Sequence, residues 1–253
     1  MPLDPADRAA APTAGVTVRV LQHRREIREA RRVLERRGLD CRTSALHNAL
    51  HRVGLARGAR VGDRHKSWDL QLTIDFLRSR VPLDAPILDL GAYASELLPA
   101  LHRLGYSALS GVDLDPRVGA MPHADRIRYV EADFLDLAPP ARGYAAVTAI
   151  SVLEHGFQAD RLLAMLGRSL APGGFLVASV DYWPEKVDTS GVRLFGLDWC
   201  VFSRDELEAL FARAADFGLE LEGDAGLDAR EPTIRWAGRR YTFAWFVLRR
   251  TGP

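Results

Sequence analysis

The stretch Ile87-Leu88-Asp89-Leu90-Gly91-Ala92-Tyr93-Ala94-Ser95-Glu96 limits what this chain can fold into more than any other. A short apolar run carries an acid and ends in a glycine turn. A helical pattern follows, and then a second apolar run closes on Gly111-Val112-Asp113-Leu114-Asp115-Pro116. Glycine lets a turn approach a ligand closely, and the helix start offers free N–H groups. A carboxylate roughly 20 residues further on, at the end of the next strand, can accept hydrogen bonds from ribose hydroxyls. The pattern is that of a nucleotide-type site at the edge of a parallel sheet.

The same rhythm continues along the chain. Strands are expected at 87–90, 108–113, 128–132, 145–151 and 175–180, and helices at 68–80, 95–104, 158–170 and 204–217. Strand-length apolar runs alternating with helices mean βαβ units, hence a parallel sheet covered on both faces. The end departs from this. Residues 219–222 and 241–248 read as strands with no helix between them, an antiparallel pair at the sheet edge.

The main domain is placed at 63–253, after two N-terminal parts. Residues 1–14 are rich in Ala, Pro and Asp and read as a disordered tail. They lack the apolar segment of a signal peptide. Residues 15–62 read as a basic, mainly helical extension. It holds a short strand over 16–21, a helix over 23–37 with Ile27, Ala30, Val33 and Leu34 on one face, a second helix over 45–53 and a linker over 54–62. The net charge of +1 hides an asymmetry: residues 1–66 carry 15 basic and 7 acidic side chains (+8), and the rest carry 19 and 26 (−7). Arg25–Glu29 and Arg31–Glu35 stand at i,i+4 spacing, which reads as ion pairs on a solvated face. No aromatics interleave, so nucleic-acid binding is not expected. A dimerisation arm or a cover for the substrate pocket fits the extension better. No run approaches the ~20 apolar residues of a membrane span. Two cysteines make neither a disulfide framework nor a metal cluster and fit a reduced, cytoplasmic protein.

Four pieces of the main domain, in order, resemble the class I S-adenosylmethionine-dependent methyltransferases. Ile87-Leu88-Asp89-Leu90-Gly91 resembles the loop that wraps the methionine part of the cofactor. Gly111-Val112-Asp113-Leu114-Asp115-Pro116 resembles the ribose-binding strand end. Glu131-Ala132-Asp133-Phe134 resembles the third strand end, whose acid meets the adenine amino group. Ser151-Val152-Leu153-Glu154-His155 and Leu170-Ala171-Pro172-Gly173-Gly174 resemble the fourth strand end and the turn into the fifth strand. The resemblance covers roughly 66–250. It implies an α/β fold with a three-layer, Rossmann-like sheet, mostly parallel with an antiparallel terminal strand. It also implies cofactor contacts from Asp89, Gly91, Tyr93, Asp113, Leu114, Asp133, Phe134 and Ser151. One departure stands out. The family's loop commonly reads Gly-x-Gly-x-Gly, and here Tyr93 and Ser95 take the second and third positions.

Beyond the cofactor the expectations are fewer. A sulfonium is already an activated methyl donor, so the enzyme mainly aligns the acceptor and excludes water. Proton removal is needed only for some acceptors. His155 and Asp181 are the candidate catalytic groups. Tyr182, Trp183 and Trp199 are candidate acceptor contacts, where aromatic side chains suit a ring-bearing or sugar-like molecule. The segment 185–200 is long for a compact domain and reads as a lid. The function implied is methyl transfer to a small molecule of the sugar or secondary-metabolite kind. Two other readings stay open: a non-catalytic binding or assembly module, which Tyr93 and Ser95 would favour, and a nicotinamide-dependent oxidoreductase.

Overall fold

The computed structural model describes residues 18–252 other than 45, 47–48, 50–52, 54 and 56–57. The tail expected over 1–14, and most of the second helix expected over 45–53, lie outside the described residues.

The central sheet is built from strands β2 (Ile87–Leu90), β3 (Leu109–Asp113), β4 (Arg128–Glu131), β5 (Tyr144–Ile150), β6 (Leu170–Tyr182) and β11 (Arg239–Arg250). Its order is β4-β3-β2-β5-β6-β11, and β1 (Arg19–Val20) and β9 (Leu219–Leu221) both pair with the far side of β11. The first five strands are mutually parallel. β11 runs antiparallel to β6, in register from Thr242 opposite Tyr182 to Arg249 opposite Phe175. Two short hairpins hang from this frame: β7 (Arg193–Leu194) with β8 (Leu197–Asp198), and β10 (Ile234–Trp236) folded back on β11.

Side-chain alternation along the strands feeds two cores, one per face. Ile87, Phe175, Val177, Phe243 and Trp245 face α1 (Arg24–Arg36), α2 (Ser67–Arg80) and α3 (Leu97–Arg103). Leu88, Leu90, Leu176, Ala178 and Phe246 face α4 (Ala159–Ser169) and α5 (Arg204–Ala214). The result is the three-layer, mostly parallel sheet with an antiparallel terminal strand. Strand order reverses between β2 and β5, so a crevice opens outside their C-terminal ends.

The N-terminal extension joins the same core. Ile27, Ala30 and Leu34 of α1 are buried beside Leu77 of α2 and Leu101 of α3. Hydrogen bonds cross the boundary expected near residue 62, such as Gly62 N to Ala94 O at 2.9 Å. The surface pair expected between Arg31 and Glu35 is not what forms. Arg31 lies between Ile27 and Leu34 on the inward stripe of α1 and is 5% exposed. Its guanidinium grips Glu96 with two bonds of 2.9 and 2.7 Å and reaches Ser67 Oγ at 2.9 Å. Glu35 pairs with Arg42 instead. No described helix is long and apolar enough to cross a membrane.

Candidate active site

A cavity of about 610 Å³ fills the crevice outside β2, β3 and β5. Of the residues that the sequence pattern singles out, Asp89, Gly91, Tyr93, Asp113, Leu114, Phe134, Ser151 and His155 line it, with Asp113 and Leu114 at the end next to β3 and Ser151 and His155 at the end that follows β5.

The first end is organised by Asp113, the last residue of β3. One carboxylate oxygen accepts from Tyr93 N at 2.9 Å and the other from Asp115 N at 2.8 Å. The acid thus ties the glycine loop to the turn after β3, with lone pairs left over for a ligand. Asp115 accepts from Arg117 N at 2.9 Å and starts the 3-10 turn Pro116–Ala120. Arg117 pairs with Asp115 at 2.6 Å and lies 4.6 Å over the Tyr93 ring. The bulky Tyr93 that replaces the family's second glycine therefore packs under a guanidinium at the cavity edge. Gly91 has φ +68°, and a Cβ there would stand 2.4 Å from Val152 Cγ2. The loop is pressed against the end of β5, which only glycine permits. Asp133 is turned away from the cavity lining. It accepts from Leu135 N at 2.9 Å and caps the turn Phe134–Asp136.

Asp89 is 1% exposed. Thr148 Oγ1 donates to its Oδ1 at 2.6 Å, while Oδ2 has no partner among the described residues. Burial pushes its carboxyl up from 3.8 to about 7. A folded carboxyl that keeps its proton where the unfolded one loses it makes stability fall as pH rises between those values. Asp89→Asn preserves the Thr148 bond and removes the titration. We expect it to raise the melting temperature of the ligand-free protein at pH 8, by an increment on the order of 3 kcal/mol in stability, and to leave that at pH 4 nearly unchanged. Thermal scans at the two pH values check this.

The second end holds a residue that the sequence reading missed. Lys66, one of only two lysines in the chain, lines the cavity just before α2. Its Nζ donates to Ser151 Oγ and sits 4.1 Å over the Phe243 ring. The charge of Lys66 acts on three buried acids: Asp69, Glu154 and Asp181. Burial pushes Asp69 up to about 6 and raises the other two as well. Glu154 Oε2 has no partner among the described residues, and the Tyr241 hydroxyl acts on the Asp181 carboxyl beside Trp199. His155 Nδ1 is likewise buried and unpartnered, and burial with help from Lys66 lowers its pKa to about 4.

The other residues singled out lie outside the cavity lining. Asp181 accepts from Trp199 Nε1 at 2.8 Å, and both are buried. Trp199 stacks edge-on to Trp236 and Tyr241. Tyr182 belongs to the opposite core, where its hydroxyl donates to Leu227 O at 2.6 Å. Trp183 packs half-buried against the first core. Within the segment expected to form a lid, the β7–β8 hairpin brings Phe195 and Leu197 to the cavity. Ala94, Ser151 and Phe195 are three of the five described non-glycine residues with positive φ, and all three line this cavity. Backbone strain of this kind gathers where a site needs it. No group of three or more His, Cys, Asp or Glu side chains among the described residues could hold a metal ion.

A family model described as "Methyltransferase domain" matches residues 22–222, across the N-terminal extension and most of the sheet. No curated protein matches the chain by sequence. Solved structures share the fold at low identity. An S-adenosylmethionine-dependent methyltransferase from Mesorhizobium loti is 18% identical, covering 73% of this chain and 98% of its own, with a TM-score of 0.50. The 1,6-didemethyltoxoflavin-N1-methyltransferase of Burkholderia thailandensis, solved with bound 1,6-didemethyltoxoflavin and S-adenosylhomocysteine, is 19% identical over 73% of this chain and 79% of its own (TM-score 0.50). The geranyl diphosphate C-methyltransferase of Streptomyces coelicolor, solved with S-adenosyl-L-homocysteine, is 14% identical over 82% of this chain and 99% of its own (TM-score 0.52). With strand order, switch-point cavity and family model in agreement, this chain belongs to the methyltransferase-domain family, with the class I S-adenosylmethionine-dependent architecture.

Proposed function

We propose that the protein transfers a methyl group from S-adenosylmethionine to a small-molecule acceptor of the sugar or secondary-metabolite kind. The observation that carries this is one cavity that joins a ribose-type carboxylate, Asp113, to a buried, unpartnered imidazole, His155.

The residues present fit the donor. Asp113 has lone pairs to offer two ribose hydroxyls. Leu114 and Phe134 supply apolar surface beside it for a base. Asp89 keeps a buried oxygen free for an amino or amide donor. Gly91 leaves a cradle that a Cβ would fill. Bound there, the sulfonium supplies an already activated methyl group. The chain's own work is to align the acceptor and keep water out. Val152, Phe195 and Leu197 are the apolar walls that do so. His155, neutral at pH 7, offers its imidazole to the proton of an acidic acceptor hydroxyl.

His155→Ala is expected to lower turnover by a factor of roughly 10²–10⁴, the usual worth of a positioned base, while S-adenosylhomocysteine affinity stays unchanged. Calorimetry and turnover measured on the same preparation check both halves. Activity itself is tested with methyl-labelled donor and a panel of sugars and aromatic secondary metabolites, read as label transfer by mass spectrometry. Label on no acceptor, from protein that binds the donor, would contradict the proposal.

A further inference from the structure

We infer that the cavity end bounded by Lys66, Ser151, His155, Phe195 and Leu197 is a subsite for a flat acceptor with an acidic hydroxyl, a phenol or an enol, held as its oxyanion by Lys66. The inference deepens the proposed methyl transfer and rests on it.

Three observations converge on that chemistry. Lys66 is an ammonium with three donors, of which Ser151 Oγ takes one. It lines the cavity and is anchored over the ring of the buried Phe243, so its charge is fixed in place. The groups that face it are Asp69, Glu154, Asp181 and His155. Burial raises all three carboxyls, Glu154 most strongly, so less negative charge stands against Lys66 than three carboxylates would supply.

His155 supplies the second observation. Its ring lines the cavity together with Lys66 and Ser151, while Nδ1 is buried without a partner among the described residues. An imidazole held near pKa 4 is too weak a base to deprotonate an alcohol. It can take a proton from a hydroxyl whose anion is already stabilised beside a cation.

The third observation is Phe195. It stands at the tip of the β7–β8 hairpin, 84% exposed, with its ring edge-on to His155 at 5.5 Å between centroids. Phe195 and Gly196 have φ of +54° and +80°, the two-residue turn that normally takes Asn-Gly. A phenylalanine there costs backbone strain and hydration, and its ring is placed to lie on a planar ligand.

The step balances. The hydroxyl proton passes to the His155 imidazole and then to solvent. The acceptor oxygen forms the new O–C bond as the S–C bond breaks, and that bond's electron pair stays on sulfur. The products are a methyl ether and the neutral thioether.

The test uses 4-nitrophenol, whose ionised form absorbs in the visible. It is titrated into full-length protein saturated with S-adenosylhomocysteine, at a pH where the free probe is mainly protonated. The expected result is a visible phenolate band that saturates with protein. In Lys66→Met the band should be lost while S-adenosylhomocysteine affinity changes less than twofold. Lys66→Arg should restore part of it, and melting scans confirm that each variant folds. A probe that binds and stays protonated in the wild type overturns the oxyanion subsite, as does a probe that does not bind. A tenfold loss of S-adenosylhomocysteine affinity in Lys66→Met also overturns it, because Lys66 would then serve the donor. Wild-type protein that binds no S-adenosylhomocysteine removes the methyl-transfer reading itself.

Discussion

Arg31→Ala is expected to destabilise the protein by about 3–5 kcal/mol, the usual result of stranding one partner of a buried ion pair. The side chains of Arg31 and Glu96 are 6% and 2% exposed. Removing the guanidinium leaves the Glu96 carboxylate buried, with Cys41 N still donating to it at 3.1 Å. For a chain of this size the loss lowers the melting temperature by on the order of 10 °C. Glu96 also starts α3 and lines the cavity, so S-adenosylhomocysteine affinity should fall in the same variant. The double substitution Arg31→Met with Glu96→Met should recover part of the stability, because the uncompensated charge goes with its partner. A double-mutant cycle by denaturant unfolding reads the coupling directly. Independent behaviour of the two sites would show that the extension does not brace the cofactor loop.

The second large effect is expected at Asp113. Asp113→Ala removes the acceptor for two backbone N–H groups and the candidate ribose contact together. A hydrogen bond to a charged group contributes roughly 1.5–3 kcal/mol, and the free N–H groups can turn to water. The net loss of cofactor affinity should therefore be about 2–3 kcal/mol, or roughly 30- to 150-fold. Asp113→Asn should be nearly as damaging. An amide has a single oxygen, so its NH2 would face either Tyr93 N or Asp115 N, both of which are donors. Calorimetric titration of the two variants checks this. Asp113→Asn binding like wild type would mean that the loop is held by something other than this carboxylate.

Much of the fold was legible because it rests on local pattern. Apolar runs of strand length ending in Asp89 and Asp113 locate β2 and β3 to within a residue. The same pattern puts both acids in the lining of the crevice. Asp133 reads in the sequence as the adenine contact, and in the structure its carboxylate caps the turn Phe134–Asp136. What escaped depends on distant contacts. Arg31 and Glu35 stand at ion-pair spacing, yet the inward stripe of α1 carries Arg31 to Glu96, 65 residues away. Lys66 looked like one more charge in a basic segment. Only the packing of α2 beside β5 and β11 brings it to Ser151 and Phe243. Tyr182 ends a strand that points at the site and Trp183 follows it, but strand alternation turns Tyr182 into the opposite core. Phe195 was hidden inside a loop that had only its length to mark it.

The most direct measurement is a calorimetric titration of the purified protein with S-adenosylmethionine and S-adenosylhomocysteine. The expected result is micromolar binding of both at one site per chain, despite Tyr93 and Ser95 in the glycine loop. No heat of binding from a sample with an intact melting transition would contradict methyl transfer and favour a non-catalytic module on the same fold.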